Sequence, residues 1–415
     1  MINSTLQTPA MKPSDLKFNN RIQILELFKT GGTWSASALA EQIGISRQTV
    51  MKAIQFFIEK GIIVADGKAE SSSVGGKRAE LFSLSSTQYL FSLLICPDCL
   101  YISLFNFRCE VIDTYMNDEI AHLSANEIIS LSSTAFYKLL LNNDIPQRSL
   151  RGLCIATPGI VDHHTNVLKF NSLFPQWGRD FPIAEKLAGC FDDDVLVLAE
   201  NVGKICGSAF LHNPQFQDKR SLTVFSSWGG VCACLMERGR ILNGKDALIG
   251  EIGHMMLEPS DPEICGCGSH GCFEQQVSDE RIRKVVRTLA EQYPDSCLNQ
   301  IDPEKLTVRD VFAASKEGDP FAMYISEYLA RYFAIAMKNV TLLFNPDFVV
   351  FQGDYSNADE HFCRILEREL NKFHYYNAHS PFSLQLDRRA IRELTTLGAY
   401  TLLIDRLFSD ETIYS

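Results

Sequence analysis

The chain has 415 residues, 46% of them hydrophobic and 21% charged, with a formal net charge of -11. That length holds two or three domains, each with its own core, and the composition excludes a disulfide miniprotein, a disordered chain and a fibrous one. No apolar run is long enough to cross a bilayer, and Met1 to Asn20 lack the basic-plus-apolar layout of a signal. A cytoplasmic protein with no membrane partner is expected. The charge is uneven: residues 1–86 hold 10 Lys+Arg against 7 Asp+Glu, a balance of +3, and the remainder holds 29 against 43, a balance of -14. A mildly basic head on an acidic body hints at a nucleic-acid module joined to something else. Without a secretion signal, the scattered Cys109, Cys154, Cys190, Cys206, Cys297 and Cys363 read as small buried hydrophobes. Only clustered cysteines carry information.

Residues 1–17 read as a disordered leader. From Phe18 the apolar positions Ile22, Leu25 and Phe28 recur at helical spacing, and Gly31-Gly32 stops that helix. Ser35 caps a second helix, Ala36 to Ile43, which ends at Gly44. Ser46 caps a third, from Arg47 to about Lys60. In the third, Val50, Ala53, Ile54 and Phe57 share one face, leaving Arg47, Gln48, Thr49, Lys52 and Gln55 on the other. These side chains suit phosphates and base edges where a helix N-terminus enters a major groove. Ile62-Ile63-Val64, a Gly75-Gly76-Lys77-Arg78 tip and an alternating stretch through Leu84 read as a two-stranded wing. The ensemble over 18–86 predicts a winged helix-turn-helix, with Ser46, Arg47, Gln48, Thr49, Lys52, Lys77 and Arg78 as DNA contacts.

Beyond Ser86 short apolar strands alternate with helical stretches: Tyr89 to Ile95, Tyr101 to Phe107, Leu150 to Ala156 and Val195 to Leu198, then Leu222 to Ser226, Val231 to Glu237 and Phe348 to Phe351. Two similar α/β lobes follow. The densest chemistry is Gly250-Glu251-Ile252-Gly253-His254 followed by Cys265, Cys267, His270, Gly271, Cys272 and Glu274. Three cysteines and one histidine in a Gly-rich loop are a tetrahedral zinc preference, and four protein ligands leave no open position, so the metal would be structural. On spacing alone, either His254 or His270 completes the set.

The Gly250–Glu274 string, Ala156-Thr157-Pro158-Gly159-Ile160-Val161-Asp162 and Gly75-Gly76-Lys77-Arg78 together resemble the ROK family, named for repressors, open reading frames and kinases. The resemblance runs from about Phe18 to Phe408. It implies an actin-like, ribonuclease-H-like body of two lobes, 87–210 and 211–391, with sugar in the cleft and a C-terminal helix over 392–410 returning to the first lobe. It places the zinc ligands on His254, Cys265, Cys267 and Cys272. It places sugar contacts on Glu251, His254 and Glu274, with Asn171 and Glu200 beside them. Carboxylates suit that task because each accepts two hydroxyl hydrogen bonds.

Sugar kinases of this family need two phosphate-cradling turns and an Asn-Asp pair that takes the hydroxyl proton. Here the first turn is Ile95-Cys96-Pro97-Asp98-Cys99-Leu100, where proline removes a donor and Asp98 repels phosphate. The second, Ser227-Trp228-Gly229-Gly230-Val231-Cys232-Ala233-Cys234, has cysteines where close backbone approach wants glycine. Counting back from Gly207 puts the pair at Ala199-Glu200. Neither ATP nor phosphoryl transfer is expected. Cys96 and Cys99 read as a lone pair in a strand turn. The expectation is a sugar-responsive repressor of carbohydrate genes that binds a double-stranded operator as a homodimer or dimer of dimers and takes a sugar or sugar phosphate as effector. The alternative is an active sugar kinase with an appended head.

Overall fold

The computed structural model describes residues 13–69, 78–192, 194–372 and 382–414. The head runs α1 (Pro13–Lys29), β1 (Trp34–Ser35), α2 (Ala36–Ile43), α3 (Arg47–Glu59), β2 (Ile63–Lys68) and β3 (Glu80–Leu84). Both expected caps form: Ser35 Oγ accepts from the Ala38 N–H and Ser46 Oγ from the Thr49 N–H, each at 3.1 Å. They satisfy donors that a helix start leaves open. Val50, Ala53, Ile54 and Phe57 are the buried side of α3. β2 and β3 pair antiparallel as the wing, and Trp34–Ser35, too short to carry a strand signal, adds a third strand on β3. Lys77 and the glycines of the wing tip lie outside the described residues. One expectation is corrected. Residues 13–17 belong to α1 rather than to a leader, because a polar first turn propagates from a helix already nucleated by the apolar positions downstream.

In the body, β4 (Tyr89–Cys96), β5 (Cys99–Asn106) and β6 (Val111–Asn117) form an antiparallel meander. Helix α4 (Ala125–Asn142) then crosses to β7 (Leu150–Thr157). A small hairpin, β8 (Ile160–Asp162) and β9 (Val167–Phe170), and α5 (Ile183–Ala188) precede β10 (Leu196–Asn201). The sheet order is β10-β7-β4-β5-β6, with β4, β7 and β10 parallel. A short helix, α6 (Val202–Ser208), leads into the second lobe. There β11 (Arg220–Ser227), β12 (Gly230–Glu237) and β13 (Arg240–Ile241) form another antiparallel meander. Helices α7 (Phe273–Val277), α8 (Asp279–Leu289), α9 (Val308–Lys316) and α10 (Pro320–Phe344) connect it to β14 (Phe348–Gly353). α11 (Glu360–Asn371), β15 (Ser383–Leu386) and α12 (Ile391–Phe408) complete the body. Order β13-β12-β11-β14-β15, with β11, β14 and β15 parallel, repeats the first sheet's topology. Parallel pairs demand crossovers, which is why helices fall between β6 and β7 and between β13 and β14. Among the described residues no helix is long and apolar enough to cross a membrane.

Helix α12 packs on β4 and β7 and lies along α6. It approaches α6 at Gly398, where a Cβ would collide with the Ile205 carbonyl. Beyond α12 the chain turns back into the head. Tyr414, 4% exposed, sets its ring edge-on to Phe18 and Phe57 at 5.5 and 6.2 Å between centroids. The Arg21 guanidinium donates to the Tyr414 carbonyl, and the Lys60 ammonium to the Thr412 carbonyl at 2.8 Å. Buried Lys29, ending α1, pairs with Asp405 of α12 at 2.9 Å, and His212 Nε2 lies 2.9 Å from the same carboxylate. Burial alone would raise the Asp405 carboxyl, but the His212 hydrogen bond and the His212 and Lys29 charges outweigh it and hold it below the usual range. Leu25, Phe28 and Phe57 of the head share one continuous core with Leu90, Leu94, Phe105 and Leu403 of the body. The head is therefore seated on the first lobe rather than tethered to it.

Gly398→Ala is expected to lower unfolding stability by roughly 1–3 kcal/mol through forced separation of α12 from α6. Gly189→Ala, whose Cβ would meet its nearest atom at 3.6 Å, is expected to change it by less than about 1 kcal/mol. Urea unfolding of both variants checks this.

Candidate functional site

The β10–α6 junction lies between the lobes. Asn201 caps α6: its Oδ1 accepts from the Gly203 and Lys204 N–H groups at 2.8 and 3.4 Å, and its Nδ2 donates to the Gly159 carbonyl at 2.8 Å. One turn on, Lys204 is only 4% exposed. Its Nζ donates to the Ala247 carbonyl at 3.4 Å and lies 3.8 Å from Glu200 Oε1. Burial pushes the Glu200 carboxyl up, and Lys204 pulls it back. Burial likewise raises Glu251, with His254 and Lys204 opposing and Glu274 and Glu200 adding repulsion. Glu200, Lys204 and Glu251 therefore feel one another's charge across the gap between lobes.

Sequence reasoning missed Lys204. The one signal was a cation inside the otherwise small and apolar run Val202-Gly203-Lys204-Ile205-Cys206-Gly207.

Glu251 opens a 3-10 turn, Ile252–His254, which aims the imidazole two ways. His254 Nε2 is 3.9 Å from Glu251 Oε2, and Nδ1 is 3.4 Å from Glu274 Oε1. Glu274 lies in the first turn of α7, one residue after the buried Phe273. These three expected sugar contacts are brought together. Asn171 is placed differently: buried, it accepts from the Leu173 and Phe174 N–H groups at 3.0 and 3.3 Å and donates to Thr157 Oγ1 at 3.3 Å. Its polar atoms brace the loop after β7, and no hydrogen bond given for the described residues joins it to the Glu251 group.

One ligand atom each from His254, Cys265, Cys267 and Cys272 falls within 4.8 Å of the others, a possible Cys3His metal site. Cys265 Sγ lies 3.7 Å from His254 Nδ1, and Cys267 Sγ 3.6 Å from Cys272 Sγ. The loop closes through the Cys265 N–H to the Ser269 carbonyl at 2.7 Å. Gly271 has φ +66, and a Cβ there would collide with the Glu258 backbone, so the turn into Cys272 needs glycine. His270, the other candidate on spacing, has its Nδ1 3.0 Å from the Asp261 carbonyl and is outside the cluster.

In the head, Arg47, Gln48 and Lys52 are exposed and Thr49 is half-buried. Ser46 Oγ is engaged in capping. Among the described residues neither the Arg47 nor the Lys52 side chain makes a hydrogen bond or ion pair. Arg78 is exposed just before β3, on the loop side of the hairpin.

The two expected phosphate turns meet each other. Pro97-Asp98 is the two-residue turn between β4 and β5, Trp228-Gly229 the turn between β11 and β12, and the Trp228 indole N–H donates to Asp98 Oδ2 at 2.6 Å. Cys232 and Cys234, read from sequence as replacing glycines of the turn, sit within β12, where they face Gly203 and Gly207 of α6. The Ala199-Glu200 placement of the Asn-Asp pair also shifts. Ala199 is buried within β10, its N–H held by Asn166, and the asparagine at the strand–helix junction is Asn201. Val202 follows it, so an asparagine followed by a carboxylate is absent from this junction.

A ROK family model matches residues 136–406, and an HTH domain model residues 20–69. The chain belongs to the ROK family. The N-acetylglucosamine repressor of Escherichia coli O6:H1 is 25% identical to this ROK protein over 92% of each chain. The glucokinase of Thermotoga maritima is 27% identical over 50% of this chain and 64% of its own length. Among solved structures, a ROK family transcriptional regulator, homolog of the E. coli MLC protein, superposes with a TM-score of 0.78 at 20% identity, covering 96% of this chain and 100% of that one.

If the four ligands hold a metal, each chain carries one tightly bound ion. Elemental analysis after exhaustive dialysis is expected to read close to one equivalent, and Cys272→Ser close to none.

Proposed function

We propose that this ROK protein is a cytoplasmic DNA-binding transcriptional regulator, a repressor, whose two-lobed body binds a sugar or sugar phosphate. One observation carries the reading: likeness to the N-acetylglucosamine repressor runs through head and body alike, whereas likeness to the glucokinase covers half the chain. The exposed face of α3, with Arg47, Gln48 and Lys52 at its N-terminal half, supports insertion into a major groove, with Thr49 and Arg78 toward phosphates. A head with so small a positive charge needs a second copy for specificity, so the working unit is a homodimer reading two half-sites.

Glu251, His254 and Glu274 would accept and donate hydroxyl hydrogen bonds to the sugar, with Glu200 and Lys204 opposite. A tetrahedral zinc with sulfurs about 2.3 Å away would set those sulfurs about 3.7 Å apart, which fits the 3.6 Å between the Cys267 and Cys272 sulfurs. The zinc would be structural. It ties the turn bearing Glu251 and His254 to the helix bearing Glu274, leaving Glu251 free to meet the ligand.

Loss of kinase activity is part of the same reading. Both phosphate turns are engaged with each other through Asp98 and Trp228, and Val202 stands where a proton acceptor would be needed. The kinase alternative rests on the glucokinase likeness. In a gel-shift assay with a duplex selected from a random pool, one of glucose, N-acetylglucosamine, the 6-phosphates of these two, or xylose is expected to weaken binding at least about tenfold. Glu251→Gln is expected to bind the duplex normally and lose that response. Sugar-dependent ADP release by the wild type would overturn the non-enzyme reading, and a shift insensitive to every sugar would overturn the sensor reading.

A further inference from the structure

We propose that Cys96 and Cys99 form a reversible dithiol–disulfide site on the rim of the cleft, with a hydroperoxide as oxidant and the second lobe sensing its state through Asp98. The two residues are direct partners at the closed end of the β4–β5 hairpin, and their sulfurs lie 3.7 Å apart. Opposed residues of an antiparallel pair have Cα atoms about 4.5–5.5 Å apart, inside the range of about 4.4–6.8 Å that a disulfide spans. The bond can form without moving either strand far.

The two thiols are unlike. Cys96 is buried and Cys99 half-exposed, so one is open to an oxidant and the other sheltered behind it. A hydrogen bond from Cys96 and the charge of Arg392 outweigh burial and the opposing charges of Asp98 and Asp118 and bring the Cys99 thiol down to about 7. Arg392 stands at the start of α12, with its guanidinium 5.5 Å from the centre of the Tyr101 ring. A metal role is disfavoured, because the metal-competent cluster found among the described residues is the one at His254, and this pair gathers no third ligand.

The chemistry balances with the oxidant named. The Cys99 thiolate attacks one oxygen of the hydroperoxide and the O–O bond breaks. The departing alkoxide takes a proton to become an alcohol, leaving Cys99 as a sulfenic acid. The Cys96 sulfur then attacks the Cys99 sulfur, the S–S bond forms, and the hydroxyl leaves with the Cys96 proton as water. Two thiols lose two electrons and the hydroperoxide gains them. A low-molecular-weight thiol reverses the step by exchange, itself becoming a disulfide.

Asp98 gives the site a readout. It lies in the turn that the pair closes and accepts the Trp228 indole N–H of the other lobe at 2.6 Å. Closing the sulfurs from 3.7 Å to a bond of about 2.0 Å draws the strand ends together and re-aims that turn.

The test treats the full-length, metal-loaded protein with hydrogen peroxide, blocks free thiols by alkylation and maps the unreduced peptides. The expected product is a peptide containing both residues, lighter by two hydrogens and alkylated at neither. Tryptophan emission should change with it, and a thiol reductant should reverse both. Cys96→Ser should stop at a dimedone-reactive Cys99 with wild-type emission, and Trp228→Phe should form the disulfide with the emission change lost. Alkylation of both Cys96 and Cys99 after Cys265, Cys267 and Cys272 have oxidised would overturn the site. A disulfide formed with unchanged wild-type emission would overturn its link to the second lobe.

Discussion

Helix α12 lies against α6 only because residue 398 has no side chain to meet the Ile205 carbonyl, and the route between cleft and head runs through that contact. On one side, α6 begins at Asn201 and carries Lys204, facing Glu200. On the other, α12 holds Asp405 against Lys29 of the head and ends in the tail that seats Tyr414 beside Phe18 and Phe57. Packed interiors yield poorly to compression, so in the proposed regulator a shift of α6 on filling the cleft would pass to α12 as a rigid displacement rather than being absorbed. The proposed regulator thus has a physical path from ligand to recognition helix, through the close approach at Gly398 and the half-buried Lys29–Asp405 ion pair.

The opposite wall of the cleft depends on the cysteine loop. His254 Nδ1 faces both Cys265 of that loop and Glu274, its Nε2 faces Glu251, and Cys272 sits two residues before Glu274. In the proposed reading, an ion held by the four ligands would fix where Glu251 and Glu274 point. Fold stability and ligand geometry would then be linked, as is common where metal ligands and their hydrogen-bonding neighbours share a short segment.

Much of this was legible because it is local. Ser35 and Ser46 cap their helices as the sequence indicates, the apolar runs from Tyr89 and Leu150 become strands, and the spacing of Cys265, Cys267 and Cys272 marks the loop that forms the possible metal site. What was not legible depends on distance along the chain. Lys29 and Asp405, or Asp98 and Trp228, meet only after folding, and nothing in their local sequence marks them as partners. β6 escaped notice because Val111–Asn117 is an edge strand with Val111, Ile112 and Met116 exposed, so its pattern lacks the clean alternation of a half-buried strand. The Asn-Asp position was misread by two residues because counting back from a glycine ignores where the helix starts, and Asn201, the cap, marks that start.

Coupling through α12 has a reciprocal consequence, since any factor by which sugar weakens DNA binding must equal the factor by which DNA weakens sugar binding. Calorimetric titration of the effector sugar into free protein and into the protein–duplex complex measures it directly. The predicted result is weaker sugar binding in the complex by the same factor seen in the gel shift, shrinking toward one in Tyr414→Ala. Equal sugar affinity in the two states would contradict it.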